Sequence, residues 1–446
     1  MVRSPAELKD VARAAVDASA REVYEIGDAV LRQPELGYKE HKTAALVVQG
    51  LRRLGIPHRT GLALTGVKAV LDTGRPGPTV AVIGEMDSVV VGDHPLADPT
   101  TGAAHACGHN AQIASLFGVA AALTRSGVLD SLHGRVALLA VPAEEYVEIE
   151  YRLSLKREGR IEFLGGKPEL VRLGEMDDVD MAMMFHTGTH RDSVLVGLPT
   201  SSNGFVAKFV EFVGRAAHAG GAPDKGVNAL NAAMLALNAI HAQRETFRDE
   251  DCVRVHPIIT KGGELVNVVP ADVRMETFVR ARTLAAMLAA EQKVDRCLRA
   301  GAMAVGAKVR ITTLPGYLPY QGDPLLGALV RENAVALIGE AGWRDVGHVN
   351  PSTDMGDISQ IMPAVQPEAG GAVGTHHGAD FQIVDRDAAY LNPARIMAMT
   401  VVDLLADEAK AARRVLAQTP PKLSKDQYLA LARRMDGVRE YEEGQG

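Results

Sequence analysis

The sequence predicts an α/β protein with a central, mostly parallel sheet, helices on both faces, and an inserted ferredoxin-like α+β domain. Three observations carry this reading. At 446 residues the chain is too long for one ordinary core and calls for two or three domains. Apolar runs lead directly into carboxylates or a histidine. Thr79-Val80-Ala81-Val82-Ile83-Gly84 runs into Glu85-Met86-Asp87, Arg135-Val136-Ala137-Leu138-Leu139-Ala140-Val141 is stopped by Pro142 ahead of Glu144-Glu145, and 179–185 ends in His186. A continuous apolar run bounded by turn residues reads as a strand buried on both faces. From about Ser201 the texture changes to alternation, with Phe205, Ala207, Phe209, Glu211 and Val213 on one face and Val206, Lys208, Val210 and Phe212 on the other.

The elements follow in order. An amphipathic helical pattern opens at Ser4-Pro5 with Glu7 behind it, without the apolar block of a signal peptide, and gives way near Pro34. A second helix over 40–54 ends at Gly55-Ile56-Pro57, and a strand over 67–71 precedes the buried run at Thr79. A loop over 88–104 leads to His105-Ala106-Cys107-Gly108-His109-Asn110. Residues 111–123 are small and apolar at helical spacing, so this hexapeptide sits at a helix start, where backbone N–H groups favour negative charge. Beyond the strand at 205–213, a helix over 227–241, strands over 252–260 and 264–280, a helix over 284–305 and a strand over 308–313 give the order β-α-β-β-α-β of a ferredoxin-like sandwich. The expected division is 1–197 for the first part of the catalytic domain, 198–315 for the insertion and 316–446 for the second part. The second part carries a helix over 325–339, the polar Ser352-Thr353-Asp354-Met355-Gly356-Asp357, the stretch Gly374-Thr375-His376-His377-Gly378-Ala379-Asp380 and a closing helix over 393–405. A charged tail from 406, split by Pro420-Pro421, reads as a solvated appendage.

Composition narrows the function. With 47% hydrophobic and 23% charged residues the chain is globular, and a net charge of -7 without like-charge runs argues against nucleic acid and anionic membranes as partners. No segment reaches the roughly 18 apolar residues of a membrane span. Three cysteines, Cys107, Cys252 and Cys297, are too few and odd for a disulfide scaffold and fit a reducing compartment, the cytoplasm by default. The expected partner is a small-molecule substrate.

A thiol and two imidazoles within the hexapeptide form a compact set of soft and borderline metal ligands. A Cys-x-His alone equally describes a buried cysteine in a helix-capping loop. The strands decide between the two, because ligands bind beyond the carboxyl ends of strands in open α/β sheets, and there the chain delivers Asp87, Glu144, Glu145 and His186 to one rim. Two adjacent carboxylates in such a place call for a cation.

These residues resemble metallopeptidase family twenty, the co-catalytic metal amidohydrolases that include hippurate hydrolase, indole-3-acetyl-amino-acid hydrolases and aminobenzoyl-glutamate hydrolase. The matching pieces are Gly84-Glu85-Met86-Asp87, the hexapeptide, Pro142-Ala143-Glu144-Glu145, Phe185-His186, Gly214-Arg215-Ala216-Ala217-His218, Asn267-Val268-Val269-Pro270 and His377, spanning about 20–405. The resemblance implies that Cys107, His109, Glu145, His186 and His377 hold two divalent ions, zinc or manganese with cobalt as a further option, and that Cys107 bridges them. It implies Glu144 as general base, and His218, Asn267 and Arg280 as groups that recognise a substrate carboxylate or a developing oxyanion. The inserted domain would act as lid and would pair two subunits into a homodimer. The implied reaction is hydrolysis of a C–N bond, foremost the amide of an N-acyl or N-aryl-acyl amino acid. Dipeptidase or carboxypeptidase action is its neighbour. Deamination of an activated aromatic amine, such as a nitro-substituted aminobenzoate, and metal binding without turnover are the alternatives, the last opposed by an intact Glu144.

The chain departs from the family pattern in several places. Asn110 stands where many relatives carry Asp, which bears on the charge around His109. His376 and His377 are adjacent, and Phe381 at the family's spacing selects His377. The stretch 146–167 is longer and more charged than in the hippurate hydrolase type and is expected to be a surface elaboration rather than a wall of the pocket.

Overall fold

Ser4 opens the first helix of the computed structural model, which describes residues 3–189 and 194–442. Its hydroxyl caps the helix and the Glu7 side chain returns to its backbone, so Pro5–Ala18 starts with a complete capping box. The chain divides into two units. One comprises Met1–Ser201, Gln321–Val349 and Asp357–Lys425, and the other Ser202–Tyr320, Asn350–Gly356 and Asp426–Gly446.

The first unit is built on a six-stranded mixed sheet in the order His58–Leu62, Gly66–Asp72, Arg135–Val141, Thr79–Glu85, Met181–Met183, Ala364–Val365. The first two pairings are antiparallel and the last three parallel. Thr79–Glu85 is buried at every position because it has neighbours on both sides and helices packed against it. Its parallel register with Arg135–Val141 sets Glu85 opposite Val141. The residues that follow these strands therefore leave the sheet at the same edge. The helix His109–Arg125 is buried through Leu123, so the cysteine-histidine loop at its start is anchored by a core element.

In the second unit five strands run in the order Arg254–Lys261, Asp272–Ala281, Gly204–Val213, Lys308–Pro315, Gly437–Tyr441, all antiparallel. The helices Ala229–Ala242 and Leu284–Met303 complete the β-α-β-β-α-β order. They approach so closely that a Cβ on Gly301 would lie 2.5 Å from the Ala232 carbonyl oxygen, which only glycine tolerates. The second hairpin strand starts at Asp272 rather than 264, since Gly262-Gly263 and Pro270 cannot sustain a ladder there. Val206, Val210 and Phe212 face the helices, as the alternation requires.

One feature of this unit differs from expectation and a second extends it. The tail is not a solvated appendage. Lys425–Met435 buries Tyr428, Leu429 and Ala432, and Gly437–Tyr441 pairs with Lys308–Pro315, since an unpaired sheet edge exposes backbone groups that a returning strand can satisfy. The second is Lys208, on the helix-facing side of its strand and fully buried. Its ammonium lies 2.8 Å from Glu291, 2.7 Å from Asp295 and 2.9 Å from Thr313 Oγ1. Arg439 of the tail strand reaches the same Asp295 at 3.5 Å. Burial raises the Asp295 carboxyl against the pull of Lys208. Lys208→Met leaves the buried Asp295 and the half-buried Glu291 without their shared ammonium, and the expected loss is about 3–5 kcal/mol, read as a lower urea midpoint. An unchanged midpoint would show that the network is dispensable.

Candidate metal centre

The loop before the long buried helix turns at Gly108, whose φ of 84° and contact with Thr187 leave no room for a side chain; a Cβ would sit 2.5 Å from Thr187 Oγ1. This turn brings Cys107 and His109 to the edge where the parallel strands end. Cys107 Sγ lies 3.5 Å from His186 Nε2. His377 Nε2 lies 3.0 Å from Glu145 Oε1, and the His377 N–H donates to the Ala106 carbonyl at 2.8 Å, tying the late loop to the hexapeptide. His109 is wholly buried, with Nδ1 3.2 Å from Asp87 Oδ1 and Nε2 3.1 Å from Glu85 Oε2 and 3.9 Å from Glu144 Oε2. Asp87 also accepts from the Glu145 N–H at 2.8 Å, so one carboxylate orients both.

Among the described residues three sets of donor atoms lie within 4.8 Å of one another: Cys107, His109 and His186; Cys107, Glu145 and His377; and Glu85, His109 and Glu144. The thiol belongs to the first two. His109 Nε2 and Glu145 Oε1 are buried and make no hydrogen bond. Thiol, imidazoles and carboxylates with buried unsatisfied donors fit divalent ions well.

The charges in this pocket are strongly coupled. Burial and Glu145 push the Cys107 thiol up, but His186 and His109 outweigh them and bring it to about 6. Burial opposes a proton on His186, yet Cys107 raises it to about 9. Glu145 raises His377 to about 11 against burial, and Glu145, though buried, is held below the usual carboxylate range by His377.

Cys107, His109, Glu144, Glu145, His186 and His377 thus gather in the first unit. His376 points elsewhere, its Nε2 2.8 Å from the Thr187 carbonyl oxygen. His105, the other imidazole of the hexapeptide, is buried, makes no hydrogen bond and is absent from the three donor sets. The Asn110 side-chain amide donates to Tyr390 at 2.9 Å, and Asp87 supplies the charge beside the His109 ring. The other three candidates lie in the second unit. His218 and Asn267 are exposed on adjoining loops, where the Ala219 N–H donates to the Asn267 carbonyl at 2.9 Å. Arg280 stacks over Phe205 and Phe278 at 5.1 and 5.4 Å and contacts His256 at 3.1 Å.

The stretch expected to be a surface elaboration is instead packed beneath the centre. Arg152 is fully buried and donates to the carbonyls of Leu164 at 2.8 Å and Glu145 at 2.5 Å. Lys167 is buried and donates to Glu85 Oε1 at 2.5 Å. Ala143 adopts a φ of 54°, and its N–H is held by Glu40 at 2.8 Å. Sequence reasoning missed Glu85, Gln112, Lys167, Arg152 and Glu40. Glu85 at the end of a fully apolar strand, with Gln112 one helical turn past His109, was the available signal.

Fold and donor set together are those of an α/β protein with an inserted α+β domain and a buried cluster of residues able to hold metal ions. Residues 200–304 match the family described as the peptidase dimerisation domain. The chain is 28% identical over 431 residues to the Xaa-Arg dipeptidase of Mus musculus, covering 90% of each chain. It is 28% identical over 396 residues to the indole-3-acetyl-aspartic acid hydrolase of Enterobacter agglomerans, covering 84% of this chain and 85% of the relative. It is 30% identical over 283 residues to thermostable carboxypeptidase 2 of Saccharolobus solfataricus, covering 60% of this chain and 67% of the relative. Its fold is similar to that of a dinuclear metal binding peptidase of Bacillus subtilis, with a TM-score of 0.64 at 20% identity, covering 87% of this chain and 99% of that one. The chain belongs to metallopeptidase family twenty and is a hydrolase, and its three donor sets are of a kind that could hold metal ions. No helix among the described residues is long and apolar enough to cross a membrane.

Metal binding must displace the protons that His186 and His377 otherwise retain to about 9 and about 11. Apparent zinc affinity should therefore climb with pH between 7 and 8.5, with about two protons or more released per chain. Titration in buffers of different ionisation enthalpy measures this, and a pH-independent affinity would contradict the assignment.

Proposed function

We propose that the chain is a dinuclear amidohydrolase that cleaves the amide of an N-acyl or N-aryl-acyl amino acid. The observation that carries this reading is the sharing of Cys107 by two donor sets. Cys107, His109 and His186 would hold one ion and Cys107, Glu145 and His377 the other. Zinc suits the thiolate and imidazoles, and manganese or cobalt suits the carboxylate share. Ions bound there supply Lewis acidity that lowers the pKa of water and polarises the scissile carbonyl.

Glu144 is left for proton transfer. Its carboxylate takes a proton from the attacking water and delivers it to the departing nitrogen, which requires a carboxylate beside the two sets that share Cys107 rather than within them. His218, Asn267 and Arg280 are assigned to the substrate's carboxylate and the developing oxyanion. A planar guanidinium already stacked on Phe205 and Phe278 is suited to a bidentate carboxylate. The match to a dimerisation domain supports a homodimer through the second unit.

Cleavage of dipeptides is the second reading, supported by the similarity to a protein named Xaa-Arg dipeptidase. A panel of N-acyl amino acids, aryl amides and dipeptides, assayed with zinc and with manganese, separates the two by the amine released. Glu144→Gln should lower kcat by at least about 10²-fold while metal content stays at the wild-type value. Wild-type turnover in that variant would remove Glu144 from the mechanism.

A further inference from the structure

Glu85 closes the buried strand Thr79–Glu85, and its side chain is inaccessible to solvent. Its carboxylate is fixed on both oxygens. Lys167 donates to Oε1 at 2.5 Å and the Gln112 amide to Oε2 at 2.7 Å, while the Glu85 N–H donates to Gln112 Oε1 at 3.1 Å. Such a pair would be complete as a structural ion pair. Yet Oε2 also lies 3.1 Å from His109 Nε2, a buried nitrogen that makes no hydrogen bond. The other ring nitrogen of His109 is engaged with Asp87, which leaves the Nε2 lone pair for an electrophile. A lone pair facing a carboxylate oxygen at that distance is repulsive unless a proton or a metal ion lies between them, and the contact lacks the geometry of a hydrogen bond.

We propose that Glu85 is a further ligand of the ion held by His109, kept in place for that role by Lys167 and Gln112. Nitrogen and oxygen atoms bound to one zinc at about 2.0–2.2 Å stand roughly 3.3–3.6 Å apart in ideal tetrahedral geometry, and the 3.1 Å separation comes within a few tenths of an ångström of that spacing. A carboxylate oxygen has a second lone pair, so Oε2 keeps its Gln112 contact. The proposal rests on the two-ion reading above. It also gives the 146–167 stretch a task, because that stretch brings Lys167 into the core beside Glu85.

The test uses Glu85→Gln, which keeps the shape but turns one acceptor into a donor, and the double variant Glu85→Gln/Lys167→Met, which removes both charges together so that no ammonium is stranded. Zinc stoichiometry and affinity are measured by equilibrium dialysis against a competing chelator, and cobalt-loaded protein is compared by its electronic absorption spectrum. The expected result is one zinc retained at wild-type affinity, the other weakened at least about 10-fold, and a changed cobalt spectrum in whichever variant folds. Two zinc ions at wild-type affinity with an unchanged spectrum in either variant overturn the proposal. A wild-type chain that binds fewer than two ions overturns the two-ion reading itself, so the two failures are distinguishable.

Discussion

Four carboxylates and a thiol are buried side by side where the parallel strands end, and that concentration of acidity is tolerable only with positive charge among it. Glu85, Asp87, Glu144, Glu145 and Cys107 all leave elements whose other faces are core. They cannot swing out to solvent. The protein supplies part of the compensation itself, through Lys167 on Glu85 and through the imidazoles of His109, His186 and His377. The remainder is the charge that the ions proposed above would supply.

Holding the donors in place costs backbone strain, and the strain sits next to the chemistry. Ala143, directly before Glu144, has a φ of 54°, and His377 has a φ of 61°. Non-glycine residues persist in this region only where surroundings over-determine them, at a cost of about 1–3 kcal/mol each. At Ala143 the surroundings are identifiable. Glu40 holds its N–H from one side, and Arg152 engages the Glu145 carbonyl two residues on. Burial and Asp87 raise Glu40 to about 7, which shows how little solvent reaches this support.

The parts of the molecule that follow from local chemistry were legible in the sequence. Apolar runs bounded by turn residues located the strands at Thr79 and Arg135, alternation located Gly204–Val213, and Ser4 with Glu7 located the first cap. The gathering of Cys107, His109, Glu145 and His186 was legible too, because parallel strands send their ends the same way. What escaped depends on pairings distant in sequence. Lys167 reaches Glu85 from 82 positions away and Glu40 reaches Ala143 across 103. Nothing local distinguishes a lysine destined for a buried carboxylate from one on a surface helix, so 146–167 read as exterior. Proximity to Pro420-Pro421 and a high charge content likewise concealed that Gly437–Tyr441 has a sheet edge to join.

That last strand bears on how the molecule can be taken apart. The chain enters the second unit at Ser202, leaves at Tyr320, returns for Asn350–Gly356 and comes back again at Asp426. A fragment cut at the first two of these points would lack the strand that covers Lys308–Pro315 and the Arg439 contact to Asp295. Such a fragment would display a bare ladder of amides and carbonyls, the sort of margin on which chains stack into aggregates. Expression of this unit by itself would require grafting the distal segment onto the excised piece, for example by circular permutation.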